Sequence, residues 1–253
     1  MIDSHAHLHD KAFDEDRASV VARALDAGVE AMLSVGCDLA DSARAIACAR
    51  EFGLRASVGI HPHEAEHAPD DIAAAFAPLL ADPTVVAVGE TGLDYYYDHS
   101  PRDAQARVLR AQIRIARERD LPVIFHHRDA FDDFHAILRE EFVSGMRGVI
   151  HCFTGDAAQA RVYVDGFGLA LGIGGVLTFK TAETLRDAVR AVGIAPLVLE
   201  TDCPYLAPIP HRGKRNEPAY VADTAARLAE VLDVSRETVL ARTDANARGL
   251  FRL

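Results

Sequence analysis

The sequence predicts an α/β fold, a (β/α)8 TIM barrel, as a single domain over residues 1–253. Short apolar runs alternate with amphipathic segments eight times along the 253 residues. Most of these runs are continuous, which is typical of strands buried on both faces of a parallel sheet. Such a barrel commonly uses about 250 residues as one domain. A doubly wound open sheet is the alternative, but it usually has a glycine-rich phosphate loop after its first strand, where this chain has His5 and His7.

The elements follow from the pattern in order. The apolar runs predict strands at residues 1–8, 31–36, 54–60, 85–90, 122–126, 147–151, 168–173 and 197–201. The segments between them predict helices, because apolar side chains recur there every three or four residues. We expect helices at residues 14–27, 41–51, 70–80, 101–119, 130–142, 157–164, 182–192, 220–232 and 236–250. A polar, tyrosine-rich loop is expected at residues 92–100.

The composition is that of a soluble globular protein. Hydrophobic side chains make up 49% of the chain, and the formal net charge is −11. A protein that covers duplex nucleic acid usually presents a basic face, so broad duplex binding is disfavoured. No apolar run approaches the roughly 20 residues of a membrane-spanning helix. The four cysteines form no C-x-x-C pair, so reduced thiols and a cytoplasmic location are expected. The oligomeric state is left open, and a monomer is compatible with the sequence.

Histidines and carboxylates lie at or just after the C-terminal ends of the predicted strands, where a barrel forms its active site. These side chains are standard ligands of divalent cations. His5 and His7 are two residues apart, so an extended strand presents both imidazoles on one face. Their joint placement predicts a metal site. The candidate residues are His5, His7, His61, His63, Glu90, His126, His151, Glu200 and Asp202.

The number of candidate ligands indicates two metal ions, because one catalytic zinc uses only three or four protein ligands. Glu90 follows the fourth of eight strands, and its carboxylate is therefore the expected bridge. A carboxylated lysine is disfavoured as the bridge, since Lys11, Lys180 and Lys214 end no predicted strand.

Seven short motifs follow one another along the chain. They are HAH (5–7), GIHPH (59–63), GETGLDYY (89–96), HHRDA (126–130), HCFTG (151–155), ETDCPY (200–205) and RGKRNEP (212–218). As a set they resemble the signature motifs of the TatD family of metal-dependent deoxyribonucleases. The resemblance is collinear and covers essentially the whole chain.

The resemblance implies an amidohydrolase-superfamily barrel that cleaves the phosphodiester bonds of DNA. It implies two divalent cations, magnesium, manganese or zinc, and leaves a third ion during catalysis open. One cation would be held by His5, His7, Glu90 and Asp202, and the other by Glu90, His126 and His151. His127 is a competing ligand. Arg128 and His126 are two residues apart on the strand, so a site-facing Arg128 would place His126 on the same side and turn His127 away, which favours His126 as the ligand.

Glu200 and Asp202 are the expected catalytic carboxylates. They are two residues apart, so one can bind metal while the other positions or deprotonates water. The resemblance places Asp202 on a metal and leaves Glu200 as either the base or an extra metal ligand.

The expected substrate contacts are two histidines and four cations. His61 and His63 could instead cap the turn around Pro62. The basic run at residues 212–215 could be a solvated loop. It follows the eighth strand, however, and this part of a barrel commonly binds phosphate. Asp94 could orient a ligand histidine or be inert. Tyr95, Tyr96 and Tyr97 could stack on the bases of a single strand, although closing the barrel mouth is favoured for them. The contacts are His61, His63, Arg128, Arg212, Lys214 and Arg215.

The leading functional hypothesis is a deoxyribonuclease that acts on DNA ends or single strands. The alternative is a metal-dependent hydrolase of a non-nucleic-acid ester, lactone or amide on the same barrel, since a fold does not fix a substrate. A third hypothesis, a non-catalytic binding module, is disfavoured by the retained ligand set.

Overall fold

A computed structural model describes residues 1–253 as an eight-stranded sheet with helices between the strands. The strands lie in the sheet in chain order, and the pairings β3–β4, β4–β5, β5–β6 and β7–β8 are parallel. A parallel bridge between Ala6 and Cys203 joins the segment after β8 to the end of β1. The predicted (β/α)8 fold class is therefore confirmed. The strands are β1 (Ile2–Ala6), β2 (Ala31–Val35), β3 (Arg55–Val58), β4 (Val85–Asp94), β5 (Val123–Arg128), β6 (Gly148–Ile150), β7 (Ala170–Ile173) and β8 (Leu197–Leu199).

Each of the nine helices predicted from periodicity is present, with ends that differ by a few residues. Asp38 begins α2 by accepting a hydrogen bond from the Asp41 N–H, and Gly53 ends that helix with a φ of 69°. None of these helices has the length and hydropathy needed to cross a membrane. The helices are α1 (Arg17–Asp26), α2 (Leu39–Phe52), α3 (Ile72–Leu80), α4 (Arg102–Arg119), α5 (Phe131–Glu141), α6 (Ala157–Arg161), α7 (Glu183–Val192), α8 (Val221–Leu232) and α9 (Arg236–Phe251).

Several strand ends differ from the sequence prediction, and those of β4 and β8 differ at candidate site residues. Strand β4 continues to Asp94, so the first part of the expected polar loop is strand paired with β5. Its polar residues are tolerated there because the buried side chains of Gln105 and Gln112 bond to them. Strand β8 ends at Leu199, so Glu200 and Asp202 lie beyond it, and Asp202 has a φ of 58°. Glu200 and Asp202 are therefore not on a strand, and strand alternation does not set the directions of their side chains.

The chain divides into two compact units. The first unit combines residues 1–33 with 152–253, and the second contains residues 34–151. In the first unit, the Ile2 N–H donates to Asp244 on α9 and so fixes β1 against the last helix. In the second, Phe125 on β5 packs edge-to-face against Phe134 on α5, with 5.4 Å between the ring centroids. The single domain over residues 1–253 stays a prediction.

A buried glutamine in the second unit supports the segment that carries His61. The Gln112 amide donates to the Ile60 carbonyl at 2.9 Å and to Thr91 Oγ1 at 2.6 Å, and it accepts from the Ile60 N–H at 2.9 Å. We expect Gln112→Leu to lower the free energy of unfolding by about 2–4 kcal/mol, because three buried polar groups lose their partner together.

Urea denaturation would measure this change. Gln159→Leu, at a half-buried position on α6, is the matched control and should shift the free energy by less than about 0.5 kcal/mol. A loss below about 1 kcal/mol for Gln112→Leu would show that the three groups find other partners.

Candidate metal centre

In the first unit, three potential ligand atoms converge near the ends of β1 and β8. Nε2 of His5 and Nε2 of His7 are 3.3 Å apart. Oδ1 of Asp202 is 3.5 Å from the His7 nitrogen and 3.9 Å from the His5 nitrogen. Tetrahedral ligands about 2.1 Å from one ion are separated by about 3.4 Å. The spacing and the donor types therefore fit a divalent cation, and we call these three side chains the first ligand group.

Backbone hydrogen bonds hold the first ligand group in register. The Asp202 N–H donates to the His5 carbonyl at 2.9 Å, and the His7 N–H donates to the Cys203 carbonyl at 2.8 Å. The buried carboxylate of Asp3 accepts from the Thr201 N–H at 2.9 Å and from the Thr201 hydroxyl at 2.6 Å. These contacts tie β1 to the segment after β8 at the positions that carry the ligands.

Asp3 is a supporting residue that the sequence analysis missed. Burial raises the pKa of Asp3 to about 7, against the opposing effect of its hydrogen bonds from Thr201. Its spacing could have revealed it, because Asp3, His5 and His7 occupy alternate positions and so share one face of an extended segment. His9, which the sequence left unassigned, is buried with its ring centroid 6.1 Å from that of His7.

Glu200 lies in the first unit with its carboxylate buried and oriented. Its Oε1 accepts a hydrogen bond from the Cys152 N–H at 2.6 Å. Gly172 on β7 faces this carboxylate, and a Cβ at that position would overlap it. Gly172 is thus required for the close approach, a requirement that no local feature of the sequence shows.

In the second unit, Glu90 is the common neighbour of three histidines. Its Oε1 lies 2.9 Å from Nδ1 of His126, 3.5 Å from Nε2 of His61 and 3.8 Å from Nε2 of His151. Ligand atoms of His61, Glu90 and His126 all lie within 4.8 Å of one another, a grouping that can hold a metal ion. We call Glu90, His61, His126 and His151 the second ligand group. His61, expected as a substrate contact, is therefore also placed as a ligand candidate.

Asp94 orients two histidines of the second unit. Its Oδ2 lies 3.0 Å from Nε2 of His126 and 2.9 Å from Nε2 of His63, while its Oδ1 accepts from the N–H groups of Tyr96 and Tyr97 at 3.0 and 2.9 Å. Burial alone would raise the pKa of Asp94, but the hydrogen bonds from His126 and the Tyr97 N–H hold it well below its usual range. The ring of His126 is thereby turned so that Nδ1 meets Glu90.

The histidines of the second unit differ in the direction in which their pKa is shifted. Burial would lower the pKa of His126, but its hydrogen bonds with Asp94 and Glu90 raise it above the ordinary value. Burial and the nearby His126 lower the pKa of His61. His127 points elsewhere, with its ring centroid 5.2 Å from that of Phe134, and burial lowers its pKa to about 4. His126 rather than His127 is thus the histidine that contacts Glu90.

The predicted cationic contacts fall into two kinds. Arg128 is exposed, with its guanidinium over the Tyr96 ring, and Arg212 lies over the Phe179 ring at 3.8 Å. Lys214 is also exposed. These three cations are accessible to an anionic ligand.

Arg215 is engaged within the first unit. It donates to both carboxylate oxygens of Asp16 at 2.7 and 2.8 Å and to Glu217 at 3.1 Å. Glu217 also accepts two hydrogen bonds from Arg23, each at 2.8 Å. This network anchors the basic run to α1, so Arg215 has a structural role in the fold as it stands.

Comparison with known proteins shows the family of this chain. The family model described as TatD related DNase matches residues 2–252. The metal-dependent hydrolase YabD of Bacillus subtilis is 41% identical over 254 residues, covering 100% of this chain and 99% of that protein. The 3'-5' ssDNA/RNA exonuclease TatD of Klebsiella pneumoniae is 37% identical, covering 99% of this chain and 97% of the relative.

Among solved structures, the TatD homologue YjjV of Escherichia coli K12 superposes with a TM-score of 0.93 at 30% sequence identity. The match covers 100% of this chain and 98% of YjjV. The family model spans nearly every residue, and relatives above 30% identity match along their whole length. The chain belongs to the TatD family of metal-dependent hydrolases.

Proposed function

We propose that the protein is a divalent-metal-dependent phosphodiesterase that cleaves DNA at ends or in single strands. The observation that carries the proposal is the convergence of His126, His61 and His151 on one oxygen of Glu90. Such a carboxylate, surrounded by histidines at strand ends, is suited to share metal ions. A relative of the same family is named a 3'-5' ssDNA/RNA exonuclease, which supports a nucleic-acid substrate.

Two cations are part of the proposal, and their ligands follow the family pattern. His5, His7 and Asp202 would hold one cation together with Glu90, and Glu90, His126 and His151 would hold the other. Two divalent ions bound there would acidify an attacking water and stabilise charge on the attacking and leaving oxygens of a phosphodiester. Histidine ligands favour zinc on affinity grounds, whereas carboxylates and phosphate accept magnesium or manganese, and we propose that magnesium supports DNA cleavage.

The remaining residues have separable roles. Glu200 is proposed as the base, because its carboxylate is buried and held by the Cys152 N–H in a fixed orientation. Asp202 positions the reacting water from its place in the first ligand group. Asp94 keeps a proton on Nε2 of His126 and thereby leaves Nδ1 for the Glu90 side. Arg128, Arg212 and Lys214 are exposed and suited to pair with phosphate, whereas Arg215 already pairs with Asp16 and Glu217.

Metal titration of a nuclease assay tests the proposal. Metal-stripped protein would be supplied with magnesium, manganese or zinc and given end-labelled single- and double-stranded DNA, beside esters, lactones and amides. We expect metal-dependent cleavage of the DNA, with single strands and ends preferred because the net charge of −11 disfavours a long duplex contact. Turnover of lactones or amides alone would refute the proposed nuclease activity and support the alternative hypothesis of a hydrolase for non-nucleic-acid substrates.

Removing one ligand should empty one position first. We expect His5→Ala to lose about one of two bound metal equivalents, because His126, His151 and Glu90 keep the second set of ligands. Metal analysis of the dialysed protein measures this loss. His67→Ala, an exposed histidine outside both ligand groups, is the control and should keep its metal. Full occupancy of both positions in His5→Ala would contradict the assignment.

A cytoplasmic location also belongs to the proposal, because the sequence indicates reduced cysteine thiols rather than a disulfide scaffold. Fractionation or imaging of the tagged chain would test it.

A further inference from the structure

An exposed aromatic cluster lies beside the second ligand group, and we call Tyr96, Tyr97 and Arg128 the tyrosine platform. The side chains of Tyr96 and Tyr97 are 59% and 51% exposed. Their rings meet edge-to-face at 4.8 Å, and the Arg128 guanidinium carbon lies 3.9 Å from the Tyr96 centroid and 4.8 Å from the Tyr97 centroid. The platform is thus a preformed set of π-faces with one positive charge.

The neighbouring Tyr95 shows what a structural tyrosine looks like in the same segment. The Tyr95 hydroxyl donates to Asp133 at 2.7 Å, and the Arg102 guanidinium covers its ring at 3.9 Å. The Tyr96 ring has the Arg128 guanidinium over one face, and the Tyr97 ring stacks on His99 with 5.6 Å between the centroids. Both side chains are nevertheless more than half exposed, and two adjacent aromatic groups with this exposure indicate a binding surface.

Asp94 connects the platform to the candidate metal ligands. One carboxylate oxygen accepts from the backbone N–H groups of Tyr96 and Tyr97, and the other contacts His126 and His63. The Tyr97 ring also meets His63 edge-to-face at 5.5 Å. Asp94 therefore lies between the platform and His126, a residue proposed to bind metal.

We propose that the tyrosine platform stacks nucleobases of single-stranded nucleic acid next to the reacting phosphodiester. This inference rests on the proposed function and names the part of the substrate that the surface recognises. Every base offers a π-face, and aromatic side chains with a nearby arginine bind single strands with little sequence preference. Bases in a duplex are already stacked on one another, so the platform favours unpaired nucleotides.

A tryptophan introduced on the platform reports stacking directly, because the chain contains no tryptophan. In metal-loaded Tyr96→Trp, we expect a phosphorothioate oligothymidylate to quench the emission excited at 295 nm, while the same sugar-phosphate chain without bases should not. Leu25→Trp on α1, 56% exposed, is the matched control and should not respond. Equal emission of Tyr96→Trp with and without the oligonucleotide would overturn the proposal, as would equal quenching by the base-free chain.

The strength of the contact is tested by Tyr96→Ala and Tyr96→Phe. We expect the alanine variant to bind the oligothymidylate about tenfold more weakly and the phenylalanine variant to bind within about twofold of the parent, because stacking needs the ring and not the hydroxyl. Equal affinity of the alanine variant and the parent would overturn the proposal.

Hydrolysis of an unmodified oligothymidylate by the same preparations separates this proposal from the proposed function. Cleavage without tryptophan quenching would overturn the proposal that the platform stacks bases, while the proposed nuclease function would stand. Quenching without cleavage would support the platform as a base-binding surface and count against the nuclease.

Discussion

Glu90→Ala is expected to reduce kcat/KM by about 10³-fold or more while the chain still folds. Oε1 of Glu90 is the point on which His126, His61 and His151 converge, so its loss leaves both proposed cations short of a ligand. Removing several kcal/mol of charge stabilisation from a transition state corresponds to a rate loss of this size. Steady-state kinetics on the substrate found by the metal-titrated assay would measure the change.

Metal content and folding must be measured on the same Glu90→Ala sample. We expect less bound metal than in the parent and a far-ultraviolet circular dichroism spectrum that matches it. Glu118→Ala, an exposed glutamate on α4, is the control and should keep both metal and activity. Parent-like turnover by Glu90→Ala would refute its role as the bridging ligand.

Glu200→Gln should reduce kcat by about 10²- to 10⁴-fold, the range for loss of a general base. Glutamine keeps the shape of the side chain, and its amide oxygen can still accept from the Cys152 N–H, as Glu200 does at 2.6 Å. It cannot take a proton from water. We therefore expect the metal content to match that of the parent.

This pattern distinguishes the two roles that the sequence leaves open for Glu200. A base gives a large loss in kcat with full metal content. A metal ligand gives a loss of metal that parallels the loss of activity, as for Glu90→Ala. Lowered metal content in Glu200→Gln would therefore contradict the role as base.

The predictable part of the site comes from strand ends. Continuous apolar runs locate parallel strands, and the ends of these runs carry His5, His126, His151 and Glu90, which is a local property of the chain. The alternation of strand side chains also favoured His126 over His127, and the structure turns His126 towards Glu90. Alternation holds there because β5 extends to Arg128.

The pattern is less informative where strands end or loops begin. Strand β4 continues to Asp94 because buried glutamines of α4 form hydrogen bonds with its polar groups. The sequence of the β4 segment does not show these glutamines, since they belong to another element. Beyond β8, Asp202 has a positive φ, so the direction of its side chain does not follow the alternation of a strand. The direction of a side chain in such segments depends on the contacts that hold the backbone.

The sequence by itself determined the succession of eight strands and nine helices and the placement of histidines and carboxylates at strand ends. Periodicity and motif spacing carry that information, because they reflect burial of each element against a common core. Only the tertiary structure decided the partners of individual side chains. Asp3 meets Thr201 across 198 positions, and Arg215 meets Asp16 across 199. Packing of segments that are distant in sequence likewise decides that Asp94 contacts His63 and His126, that Arg215 pairs with Asp16, and that Tyr96 stays exposed.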